Sequence, residues 1–169
     1  MKYALMIRND ALSKETALKI KEGLKDFFIY DDQNPDLVIS IGGDGTILEA
    51  VHHYLNKDCC FVGIHTGTLG FYTDYQVDQV DQFIKDVTSR EFTTMKRYLL
   101  EIKVNKKNQS ETYYALNELR LDQGLQAQVI HVYINDVLFE VFRGNGLCVS
   151  TPSGCLLYTS DAADDKARV

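Results

Sequence analysis

Residues 3–7 form an apolar run suited to a buried strand. From Ser13 the period changes: Ala17, Ile20, Leu24 and Phe27 recur three or four apart, which places them on one face of a helix. A second apolar run, 37–41, stops at Gly42-Gly43-Asp44-Gly45-Thr46, after which Ile47, Val51 and Tyr54 return to helical spacing. A third run, 60–64, leads into Thr66-Gly67-Thr68-Leu69-Gly70-Phe71, and Val77, Val80, Ile84 and Val87 mark a third helix. Strands alternating with helices over short connections predict a parallel sheet in an α/β domain spanning residues 1–92.

The pattern changes near Phe92. Beyond it the sequence predicts mostly short strands, at 98–104, 112–116, 128–134 and 137–143. Asn135-Asp136 joins the last two as a two-residue turn, because both residue types tolerate the positive φ that a tight hairpin needs. Residues 105–110 form a polar connector of similar kind. Residues 93–154 therefore read as an antiparallel β domain. After Gly154 the β alternation is lost and the chain turns small and polar from Thr159 onward. Residues 157–164 are similar to translated sequencing adapter, so 155–169 is expected to be a non-native or disordered tail.

Composition changes this picture little. The chain has 169 residues, 45% hydrophobic and 25% charged, which is ordinary for a globular protein. A net charge of −6 argues against nucleic-acid or acidic-membrane partners, but leaves room for a small phosphate ligand held by local geometry. Of the four cysteines, vicinal Cys59 and Cys60 lead into an apolar run and are expected to be buried thiols, not metal ligands or a disulfide. Neither a signal peptide nor an apolar stretch of roughly 18 residues is present, so a reduced, cytoplasmic protein is expected.

The chemistry concentrates at the first glycine loop. Glycines let the backbone turn sharply and let a ligand approach the main chain, and the following helix start offers unpaired N–H groups. The loop lacks the Lys of a P-loop, and Leu48 stands where a dinucleotide fingerprint has its third glycine. Asp44 is the informative residue. A carboxylate 4 Å from a phosphate charge is repelled by about 1 kcal/mol in water and about 4 kcal/mol at an effective dielectric near 20. It makes sense if it accepts a hydrogen bond from a substrate hydroxyl, or if Mg²⁺ lies between it and the phosphates. The plainer alternative is that Asp44 caps a helix beginning at Thr46. His65, beside the second glycine segment, is a possible ligand contact. His131 is expected to be a packed or edge residue, and Asp74, Asp78 and Asp81 a helix start and its solvated face.

Gly42-Gly43-Asp44-Gly45-Thr46 resembles the signature shared by NAD kinases, diacylglycerol kinases and, more loosely, phosphofructokinases. Three further segments resemble NAD kinases in particular: 63–71, Leu116-Asn117-Glu118, and Phe142-Arg143-Gly144-Asn145-Gly146-Leu147 followed by Ser150-Thr151-Pro152-Ser153-Gly154. The resemblance implies phosphoryl transfer from ATP, with Mg²⁺, to the 2′-hydroxyl of the adenosine ribose of NAD. Asp44 would be the base or orienter, with Gly43, Gly45 and Thr46 shaping the loop and Phe71 packing on NAD. Asn117, Glu118, Asn145 and Ser153 would hold the dinucleotide. It also implies a homo-oligomer for the full-length protein; Mg²⁺ is expected from phosphoryl-transfer chemistry, and no metal-ligand motif is read in the sequence.

Two departures stand out. Asn145 replaces the usual Asp, keeping an acceptor oxygen but losing the charge. Cys155-Leu156-Leu157-Tyr158 replaces the family's Ser-Thr-Ala-Tyr-like run, and its later strands are absent. An incomplete β domain, and an inactive fragment, are therefore expected. The alternative readings are a nucleotide-binding module without catalysis and a lipid kinase of the diacylglycerol type.

Overall fold

The computed structural model describes residues 1–67, 70–122, 124 and 126–154. The tail from Cys155 onward, and Thr68 and Leu69 of the second glycine segment, lie outside the described residues. The chain divides into two compact units, Met1–Lys96 and Arg97–Val169.

The first unit runs β1 (Lys2–Ile7), α1 (Ala11–Leu24), β2 (Ile29–Tyr30), β3 (Leu37–Gly42), α2 (Asp44–His53), β4 (Cys60–His65), β5 (Tyr75–Gln76) and α3 (Val80–Ser89), with a single 3₁₀ turn, Val77–Gln79, before α3. The five strands form one parallel sheet in the order β2-β1-β3-β4-β5. Central β3 is buried at all six positions, which explains its unbroken apolar run. Because side chains alternate across a strand, β3 feeds two cores. Ile39 and Ile41 pack with Ile20, Leu24, Ile64, Val80 and Phe83, whereas Val38 packs with Ala4, Ala50 and Tyr54.

Helix boundaries differ from the sequence reading for identifiable reasons. α1 begins two residues before Ser13 because Asp10 is its cap, accepting the Ser13 N–H at 3.0 Å and the Ser13 hydroxyl at 2.7 Å. It ends at Leu24, so Phe27 falls outside the helix and is 62% exposed, and Phe28 takes the buried place. Asp44 is not the helix cap considered above: α2 starts at Asp44 itself, behind Gly43. Asp74 does not open a helix either. Its carboxylate accepts the Gly63 N–H at 2.9 Å while its own N–H donates to the Gly63 carbonyl. Cys59 is half-buried and Cys60 exposed, since Cys60 is the outer end of β4 and not its buried middle.

The second unit consists of antiparallel strands, as expected. β6 (Leu100–Lys106) pairs with β7 (Gln109–Ala115), β9 (Gln128–Ile134) with β10 (Val137–Gly144), and β8 (Glu118–Asp122) with β11 (Gly146–Ser150). Asn135 and Asp136 have φ of 49° and 63°, the left-handed pair that closes the β9–β10 hairpin. Asn105 and Ser110, read as connector, instead belong to the strands, leaving Lys107-Asn108 as the turn. The β8–β11 pair was not anticipated. His131 is exposed on β9.

Candidate active site

Parallel strands present their C-terminal ends along one edge, where ligands of open α/β sheets sit. Here Gly42 of β3 is in register with His65 of β4, so the two glycine segments leave the sheet side by side. The Thr66 N–H donates to the Gly42 carbonyl at 3.0 Å. Asp44 completes the connection. Its Oδ2 accepts the Phe71 N–H and its Oδ1 the Tyr72 N–H, each at 2.8 Å. A Cβ on Gly70 would lie 2.5 Å from Asp44 Oδ1, so only glycine admits the carboxylate there. Asp44 is thus fixed in direction by a segment 27 residues away.

The other expected residues of this unit surround it unequally. Among the described residues nothing lies within 4 Å of where a Gly45 side chain would begin. Thr46 is 8% exposed and lies beneath the loop, its hydroxyl against Gly42. Phe71 stands at the surface, its ring edge-on to that of buried Tyr72 at 5.3 Å.

Arg8, which the sequence reading passed over, follows β1 and reaches the same edge. Its Nε donates to Asp10 at 2.6 Å and its Nη2 to the Thr66 carbonyl at 3.3 Å. The Arg8 hydrogen bond, followed by the N–H and hydroxyl of Ser13, holds the Asp10 carboxyl well below the usual range. Thr66 is also tied to Ser13 by a buried hydroxyl pair at 2.8 Å. A cleft of about 450 Å³ lies alongside, lined by residues that include His65, Thr66, Gly67 and Asp78.

In the second unit, antiparallel pairing sets Ser150 opposite Glu118 and so folds residues 151–154 over Asn117. The Thr151 N–H donates to the Asn117 carbonyl at 2.9 Å, its hydroxyl to the Leu116 carbonyl at 2.7 Å, and the Gly154 N–H to the Thr151 hydroxyl at 3.0 Å. A Cβ on Gly154 would stand 2.1 Å from the Asn117 carbonyl oxygen, which explains the glycine. Asn117 Nδ2 donates to Glu118 at 3.4 Å, and Arg97 Nη1 to the Ser153 hydroxyl at 3.2 Å. Asn117, Glu118 and Ser153 are therefore gathered by one strand pair. Asn145 sits apart at the exposed β10–β11 turn, its carbonyl accepting from Gln128 at 3.1 Å. Among the described residues no three His, Cys, Asp or Glu side chains are placed to hold a metal ion, and no helix is long and apolar enough to cross a membrane.

Residues 7–92 match the family model of the ATP-NAD kinase N-terminal domain. The chain is 42% identical over 163 residues to NAD kinase 1 of Bacillus anthracis, covering 94% of this chain and 62% of that protein. It is 43% identical over 162 residues to the NAD kinase of Lysinibacillus sphaericus, covering 94% and 61%. The chain thus spans about 62% of the length of such relatives. Its fold is that of yeast NADH kinase, solved with NADH, at a TM-score of 0.83 and 19% identity over 96% of this chain and 60% of the other. An NAD kinase from Archaeoglobus fulgidus, solved with ATP, aligns at a TM-score of 0.73 and 23% identity over 96% and 65%. With its glycine loop, its tethered Asp44 and a family match across more than half its length, the chain belongs to the ATP-NAD kinase family.

Proposed function

We propose that this chain is the nucleotide-handling part of an NAD kinase, which transfers a phosphoryl group from Mg·ATP to the 2′-hydroxyl of the adenosine ribose of NAD. The observation that carries the reading is the tethering of Asp44. Each of its oxygens takes one backbone N–H, which fixes the carboxylate plane and leaves further lone pairs for a hydroxyl. Phosphoryl transfer asks the protein mainly for positioning and electrostatics. A carboxylate held in this way can orient the attacking hydroxyl and accept its proton as the bond to phosphorus forms.

Gly43, Gly45 and Thr46 shape the loop that receives the nucleotide, and Phe71 offers an exposed aromatic face for it. Asn117, Glu118, Asn145 and Ser153 hold the dinucleotide, a role the family resemblance assigns to them. Mg²⁺ needs only one or two carboxylates when phosphates and waters complete its shell, so the residues suit an ion that arrives on the triphosphate. We place the protein in the cytoplasm, as a homo-oligomer when full-length. The residues assigned to nucleotide binding all lie within the 169-residue chain, and we propose that it binds nucleotide as it stands.

The test supplies γ-labelled ATP and Mg²⁺ to this chain with residues 155–169 replaced by a relative's C-terminal third. NAD and diacylglycerol are offered as acceptors. Label is expected in NADP alone. Label in the lipid, or no transfer by a folded protein, would overturn the assignment.

A further inference from the structure

His65 ends β4 and is 7% exposed. Its Nδ1 accepts the Gly67 N–H at 2.9 Å. A ring nitrogen that accepts carries no proton, so the neutral imidazole bears its proton on Nε2. Among the described residues no hydrogen bond is made by that Nε2–H, and it is not one of the fully buried polar atoms, so it is open to a ligand in the cleft that His65 lines.

Three glycines surround the outer edge of the ring. A Cβ on Gly67 would lie 3.4 Å from Cε1, one on Gly43 3.8 Å from Nε2, and one on Gly70 3.1 Å from Cδ2. The two glycine segments thus meet around His65, and the donor points at the side of the loop where Gly43 has no side chain. The Gly70 position is also 2.5 Å from Asp44 Oδ1, so the imidazole and the carboxylate flank one residue. One is a donor and the other an acceptor. A ligand that carries a hydroxyl beside an acceptor oxygen satisfies both.

We infer that the Nε2–H of His65 donates a hydrogen bond to a phosphate oxygen of the nucleotide bound at this corner. Arg8 favours an anionic acceptor over a neutral carbonyl. Its guanidinium is held by Asp10 and the Thr66 carbonyl, and Nη1 lies 3.7 Å from where a Gly67 Cβ would be. The carboxylates near this corner are Asp10, which pairs with Arg8, Asp44, which stands against Gly70, and Asp78, which lines the cleft with His65. His65 is then a binding residue for the reaction proposed above, and this assignment rests on that reading.

If His65 is only a packing wedge, its useful atom is Nδ1, which holds Gly67. Two variants separate the roles. His65→Asn keeps an acceptor near the Nδ1 position and loses the donor. His65→Gln carries an amide nitrogen near the Nε2 position. Binding of Mg·ATP, NAD and phosphate-free adenosine is measured by calorimetry on the 169-residue chain. Long-range ¹H–¹⁵N spectra of the imidazoles are recorded, with the His65→Asn spectrum assigning the signal.

Free His65 is expected to be protonated on Nε2, and that proton to shift when nucleotide is added. His65→Asn is expected to weaken one nucleotide about tenfold, the order of one hydrogen bond to a charged group. His65→Gln should recover much of the loss, and adenosine should be unaffected. The nucleotide that loses affinity identifies whose phosphate is held. Wild-type affinity in His65→Asn, or a proton on Nδ1, overturns the assignment alone. Failure of the wild-type chain to bind either nucleotide overturns the phosphoryl-transfer reading together with it.

Discussion

The Ser40 hydroxyl lies within the central strand, 1% exposed and without a hydrogen-bond partner among the described residues. A buried, unpaired hydroxyl costs about 1–3 kcal/mol. Ser40→Ala is therefore expected to stabilise the first unit by about 1 kcal/mol in urea unfolding, and a lower midpoint would contradict the burial. Asp10 is the opposite case, a carboxylate held in its charged form by Arg8 and Ser13. Its pKa is depressed below the ordinary 3.8, so its contribution is present above that pH and fades as the pH falls below it. Asp10→Asn should flatten the acid limb of a stability-against-pH curve below about pH 4, leaving the wild type the steeper of the two. At this scale the sequence made Asp44 legible, because a carboxylate in a phosphate-type loop demands an explanation. Its tether was not legible. Phe71 and Tyr72 act through backbone N–H groups, which every residue type but proline carries.

Among the elements, the long apolar runs of the first unit were readable because burial on both sheet faces leaves no polar alternation to misread. β2 and β5, at two residues each, leave no periodic trace. β8 and β11 were missed for a different reason. Glu118-Leu119-Arg120-Leu121-Asp122 alternates charge with leucine, but its partner lies far along the chain, and pairing over such a distance leaves no local mark. The β9–β10 hairpin was legible from two residues, since Asn135-Asp136 suits a turn with two positive φ angles. Glycine takes such a conformation without the Cβ penalty, so Asp136→Gly is expected to strengthen the hairpin by up to about 1 kcal/mol. Hydrogen exchange of the β9 and β10 amides should slow accordingly. Faster exchange would contradict the turn geometry.

For the whole molecule, each unit gathers its own part of the family's motifs. The first unites the two glycine segments around Asp44 and His65, and the second unites Asn117 and Glu118 with the loop that carries Ser153. Motif order along the chain made that grouping readable, whereas the contacts within each group depended on sheet register. The central claim is that Asp44 acts on the hydroxyl that receives the phosphoryl group. Its most direct test is the rate of NADP formation by the chain joined to a relative's C-terminal third, beside Asp44→Asn in the same background. Both are assayed well below their unfolding temperatures. Loss of a positioned base predicts a fall in kcat of about 10²–10⁴ with little change in KM for NAD. A folded Asp44→Asn protein that makes NADP at close to the parent rate would contradict the account.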